Sequence, residues 1–129
     1  LLKFYCVEDC GKVINPMLVD EQVRGSIVQG IGGVLYEECR YDLDGNFLNA
    51  NMADYLVPMA GEMPDIVIGH IETLTKESEL GAKGAGEAGT AGAPGAILNA
   101  INDALSPFGA RVLDQPVSPE RVLKALGKY

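Results

Sequence analysis

The sequence predicts an α+β fold, and three observations predict it. Residues 65–74 are dense in β-branched side chains and read as the best strand of the chain. Apolar residues recur at helical spacing over residues 17–39, at Val19, Val23, Ile27, Ile31 and the Val34-Leu35 pair. Strand and helix patterns then succeed one another without the strict alternation of a doubly wound sheet.

The 129 residues are enough for a single domain with a real core, residues 1–129. A hydrophobic fraction of 47% against 22% charged residues places the chain among globular proteins and not disordered ones. The net charge of −8 argues against a nucleic-acid backbone or an anionic membrane surface as partner. No apolar run approaches the ~18 residues of a membrane helix. The chain opens on Leu1-Leu2-Lys3 with neither an initiator Met nor a signal pattern, and so reads as a piece of something longer. Cys6, Cys10 and Cys39 make an odd number without a dense framework, which predicts reduced thiols in a cytoplasmic setting. His70 is the only histidine, so neither a structural zinc site nor a His-dependent triad is expected, and His70 itself reads as structural.

In order, residues 2–7 read as a strand closed by a turn at 8–11. Asn15 can cap a helix that Pro16 begins, with the helix predicted from about Met17 to about Cys39. Gly25, Gly30, Gly32 and Gly33 weaken that helix, and point to another backbone or a ligand packed closely on it. Asp44-Gly45 signals a tight primed hairpin turn, though its flanks do not define two clean strands. Pro58 confines residues 54–60 to an edge or an end. A helix is predicted over Pro94–Leu105 with Leu98, Ile101 and Leu105 as its stripe, and a short strand over Arg111–Leu113. Ser118-Pro119-Glu120 starts the last helix with a cap, a first-turn proline and an early acid.

Residues 81–95 stand apart, since six of the fifteen are glycine and the only ionisable side chains are Lys83 and Glu87. Gly84-Ala85-Gly86-Glu87-Ala88-Gly89 has the letters of a dinucleotide fingerprint. The strand that should run into it ends near Leu74, and Glu87 would stand where a pyrophosphate must approach. One reading is a mobile connector with Glu87 merely solvated. The segment is nevertheless rich in Ala and poor in Ser, Asn and Asp, unlike a solvated linker. A single acid in polar-poor surroundings suits a general base.

The order of motifs resembles the molybdenum hydroxylases, the family of the xanthine dehydrogenase, aldehyde oxidase and carbon monoxide dehydrogenase large subunits. Gly84-Ala85-Gly86-Glu87 is similar to its glutamate-bearing loop, and Asn99-Ala100-Ile101-Asn102-Asp103-Ala104 to the helix after it. Asp9-Cys10-Gly11 with Asn15-Pro16 resembles its strand-turn-helix element. Gln22-Val23-Arg24-Gly25 resembles its Gly-Gln-Val-x-Gly motif, with Glu21 where glycine is usual. Tyr55 to Pro58 and Pro116–Leu126 match later elements, so nearly the whole chain is covered in order.

The resemblance implies the C-terminal part of a molybdopterin-binding domain, in an oxidoreductase that hydroxylates a carbon centre with water oxygen. It implies a molybdenum–molybdopterin cofactor, with the cytosine dinucleotide form as one variant. Glu87 matches the catalytic base acting on the metal-bound hydroxyl, a role that makes it no metal ligand. Gln22 would hydrogen-bond the cofactor or its immediate ligands, and Lys83, Gly84, Ala85 and Gly86 would line it through backbone N–H groups. Partners implied are the remainder of the large subunit, iron–sulfur (2Fe–2S) and flavin (FAD) domains or subunits, and a small-molecule substrate. The chain alone is expected to be inactive, with surfaces prone to self-association. The alternative is a non-catalytic acidic interaction module with the glycine segment as a hinge.

Overall fold

The computed structural model describes residues 1–129 and contains two strands and three helices, the mixed α+β content expected from the sequence. These are β1 (Lys3–Glu8), α1 (Pro16–Leu35), β2 (Asp65–His70), α2 (Ala88–Leu105) and α3 (Pro119–Ala125). Single 3-10 turns lie at Ala60–Glu62 and Ser106–Phe108. No helix is long and apolar enough to cross a membrane. The chain divides into two compact units, residues 1–30 with 60–93, and residues 31–59 with 94–129.

In the first unit β1 and β2 pair in parallel, from Lys3 opposite Asp65 to Glu8 opposite His70. Alternation puts Phe4, Cys6 and Glu8 inward and leaves Tyr5 and Val7 exposed, with Val67 exposed on β2. The strand predicted to reach Leu74 stops at His70. Beyond it the backbone N–H of Thr73 is taken by the side chain of Asp9, which replaces a ladder partner. Helix α1 starts as its sequence requires: Asn15 Oδ1 accepts from the Leu18 N–H at 3.3 Å, and Pro16 occupies the first turn. Val23 and Ile27 on its inner face are fully buried.

In the second unit the rest of α1 buries Ile31 and Val34. The helix ends at Leu35, short of the Cys39 that the sequence suggested. The Tyr36 and Glu37 N–H groups both donate to the Gly32 carbonyl, each at 2.9 Å. The buried side chain of Asn49 then captures the Glu38 carbonyl at 2.7 Å and the Arg40 N–H at 2.9 Å, which holds the chain out of helical register. The hairpin forms with a single bridge, Tyr41 to Phe47, whose rings stack. Only Gly45 has positive φ there, +83°, so the turn is not the primed type that needs two such residues. Asp42 holds it by accepting from the N–H groups of Asp44 and Asn46. Residues 56–59 are irregular.

Helix α2 departs from the sequence expectation at its start. It begins at Ala88, six residues before Pro94, so part of the glycine segment is helical. Its buried positions in the second unit are Ile97 and Leu105, while Leu98 and Ile101 are half-buried. Residues 111–113, expected as a strand, are not one. The side-chain amide of Asn102 accepts from the Val112 N–H at 2.8 Å and donates to the Val112 carbonyl at 2.9 Å, so one side chain supplies both bonds of a strand partner. Helix α3 has the expected cap, Ser118 Oγ accepting from the Arg121 N–H at 3.3 Å.

Candidate cofactor-binding loop

The loop at 81–87 is built on the turn that leaves β1. Gly11 (φ +65°) bridges Ala82, and a β-carbon on Gly11 would collide with the Gly81 carbonyl oxygen. The Lys83 N–H donates to the Cys10 carbonyl at 2.7 Å, and the Lys12 N–H to the Gly81 carbonyl at 3.1 Å. Asp9 Oδ1 closes the arrangement, accepting from the N–H groups of Gly11 at 2.9 Å and Thr73 at 3.0 Å, with Lys83 Nζ 3.0 Å away. The hydrogen bonds from Thr73, with those from Gly11 and Lys83, hold the Asp9 carboxyl well below the usual carboxylate range.

The far end of the loop is fixed to α1. Gln22 Nε2 donates to the Gly86 carbonyl at 2.9 Å. Ser26 Oγ lies 2.8 Å from the same oxygen and 2.7 Å from the Gln22 carbonyl, and its one proton serves either. Thr90 Oγ1 donates to the Ser26 carbonyl at 2.9 Å. The Glu87 carbonyl accepts the first α2 bond, from the Ala91 N–H at 3.1 Å. The backbone of Glu87 is therefore held between a braced residue and a helix, while its side chain is exposed.

The fold brings Gln22 to Gly86, the residue before Glu87. The Gln22 amide nitrogen is engaged by the loop itself, and Oε1 is the end of that amide which Gly86 does not engage. The Lys83 N–H is likewise committed, to Cys10. The residues present fit a bound pterin. Gly84 and Gly86 have nothing within 4 Å of where a β-carbon would stand, so a flat, polar-edged molecule can approach the backbone. A cavity of about 510 Å³ in the same unit is lined by Lys3, Arg24 and Val67 among others, and includes none of these residues.

Two features carry no mark in the sequence. Ser26 reads as an ordinary helix residue until Gly86 arrives beside it. Glu8 and Cys10 come together with His70, their ligand atoms all within 4.8 Å of one another. The spacing of Glu8, Cys10 and His70 along the chain carries no signal of that.

Comparison with known proteins decides the family. The molybdopterin cofactor-binding domain family matches residues 1–64. The large subunit of nicotine 6-hydroxylase from Paenarthrobacter nicotinovorans is 48% identical over 123 residues, 95% of this chain. The chain belongs to the molybdenum hydroxylase family. The large chain of carbon monoxide dehydrogenase from Hydrogenophaga pseudoflava is 32% identical over 98% of the chain. The crystal structure of quinoline 2-oxidoreductase from Pseudomonas putida 86 superposes with a TM-score of 0.92 at 41% identity, over 96% of this chain and 16% of that one. The chain spans about 15% of the length of the molybdenum hydroxylase relative that is 48% identical to it.

Proposed function

We propose that this chain is the C-terminal part of a molybdopterin-binding domain and supplies the general base and one wall of the cofactor site in a molybdenum hydroxylase. The observation that carries the reading is the placement of Glu87, with its backbone fixed by Gly86 and α2 and its carboxylate left exposed. A molybdenum–pterin cofactor, when bound, supplies the two-electron oxidation that lets water oxygen enter a carbon–hydrogen bond. Glu87 takes up at a carboxylate oxygen the proton that the water-derived nucleophile loses, which raises the rate by roughly 100-fold or more for a well-placed base. Gln22 orients the loop through Gly86 and turns its amide oxygen to the cofactor side. Lys83, Gly84, Ala85 and Gly86 form the wall, with Lys83 held in place by Asp9.

The rest of the large subunit completes the pocket, and iron–sulfur and flavin centres belong to partner domains or subunits in the cytoplasm. The exposed Tyr5, Val7 and Val67 on a parallel two-stranded sheet support a covering partner, because parallel sheets are ordinarily buried on both faces. The chain alone, with an open Glu87, does not turn over substrate. The names of the 48% and 41% identical relatives favour nitrogen heteroaromatic compounds as substrates to try beside aldehydes, purines and carbon monoxide.

The test is Glu87→Gln in the complete enzyme. Molybdenum and pterin content should stay at the wild-type level while turnover across that panel falls by at least ~100-fold. Unchanged turnover would return the loop to a structural role, and turnover by the isolated chain loaded with cofactor would overturn its predicted inactivity.

A further inference from the structure

We infer that Glu8, Cys10 and His70 form a binding site for a divalent transition-metal ion of the zinc type, separate from the cofactor loop. Glu8 ends β1, His70 is opposite it at the end of β2, and Cys10 lies two residues beyond Glu8. The ligand atoms of the three lie within 4.8 Å of one another, and His70 Nδ1 is already 3.6 Å from Glu8 Oε1. A tetrahedral zinc ion holds such atoms roughly 3.3–3.6 Å apart, so closing the site takes side-chain movements of about 1 Å.

The second observation is what these groups lack. The Glu8 side chain is 5% exposed, and neither of its oxygens has a hydrogen-bond partner; His70 Nδ1 is buried and unpartnered as well. A buried carboxylate without donors is costly, and native proteins rarely leave one so. On its other side His70 Nε2 lies 2.6 Å from Asp20 Oδ1. A carboxylate only accepts, so Nε2 donates to Asp20, and in the neutral ring Nδ1 keeps its lone pair on the Glu8 side. Unpartnered Nδ1 and Oε1 atoms 3.6 Å apart, with a thiol beside them, leave a place that a cation between them fills. The Asp20–His70 contact is also the outer partnership that orients a metal-bound imidazole.

The donor set selects the ion. Thiolate and imidazole exclude calcium and magnesium, which take oxygen ligands, and suit zinc, cobalt or iron in the divalent state. The thiolate is the ligand, so the Cys10 proton passes to solvent as the metal binds. Carboxylate and thiolate together then balance the ion's two charges. A water molecule completes four ligands on the half-buried side of His70.

The experiment is titration of the metal-free full chain with Co²⁺, monitored by optical absorption, and then displacement by Zn²⁺. The expected result is saturation at one equivalent with a thiolate-to-cobalt charge-transfer band that Zn²⁺ abolishes. Cys10→Ser should remove the band, while Cys6→Ser and Cys39→Ser keep it. Asp20→Asn, at an exposed side chain, should weaken Co²⁺ binding by about 10- to 100-fold, the range for an outer-shell partner. Should Cys10→Ser fail to fold, wild type and Asp20→Asn decide the matter. Absence of the band in wild type, its survival in folded Cys10→Ser, or unchanged affinity in Asp20→Asn would each overturn the site.

Discussion

The backbone of Gly89 lies against that of Val23, and a β-carbon on Gly89 would stand 2.7 Å from the Val23 carbonyl oxygen and 3.0 Å from the Ile27 N–H nitrogen. Both neighbours are backbone atoms of α1 and cannot swing aside. Gly89→Ala should therefore destabilise the chain, although alanine is the better helix former by about 1 kcal/mol. Overpacking costs about 1–3 kcal/mol and here exceeds that gain. Urea denaturation should show a net loss, and the complete enzyme should lose turnover because Glu87 lies two residues away. Equal or greater stability would show that α1 and α2 can separate freely.

Gln22 and Ser26 both serve the Gly86 carbonyl, so their effects should not add. Each single replacement by alanine leaves the other donor in place and should cost about 0.5–1.5 kcal/mol. The double replacement removes both donors and should cost more than the sum, with a coupling of about 0.5–3 kcal/mol in a double-mutant cycle. Strict additivity would mean that the two contacts act independently of the loop.

Tyr55 supplies a pH test in the second unit. Its hydroxyl donates to Glu37 Oε2 at 2.8 Å, and that bond, with burial, pushes its pKa up to about 12. A folded value raised above the unfolded one near 10 contributes stability that is complete below about pH 10. The contribution is lost as pH rises toward 12. In a spectrophotometric titration of phenolate, Tyr55→Phe should remove the last group to ionise, and the stability difference between the two proteins should close over that window. A titration curve in which no tyrosine is late would refute the hydrogen bond.

Much of the frame was legible because it is written in neighbouring residues. Asn15-Pro16 and Ser118-Pro119 mark helix starts with a cap and a fixed φ, and both helices begin there. The missed features depend on partners far along the chain. Local propensity placed the start of α2 at Pro94, because glycine is a poor helix former; the close approach of Gly89 to Val23 is a tertiary fit that propensity does not contain. Asn102 clasping Val112, and Asn49 ending α1, are side-chain amides standing in for backbone, and Asn carries no mark of which use it will have. At the loop, the motifs singled out Gln22 and Glu87, yet only the fold shows that Gln22 reaches Gly86 across 64 residues of sequence.

One oxygen of Asp9 joins three stretches of chain: the turn after β1 at Gly11, the segment after β2 at Thr73, and the glycine loop at Lys83. None can peel away without breaking the bonds that restrain the others, so the three behave as a single opening unit. In hydrogen exchange, the amides of Gly11 and Thr73 should therefore report one shared opening free energy, distant as they are along the chain. The loop that carries Glu87 is thereby tied to a strand end at the opposite side of the sequence.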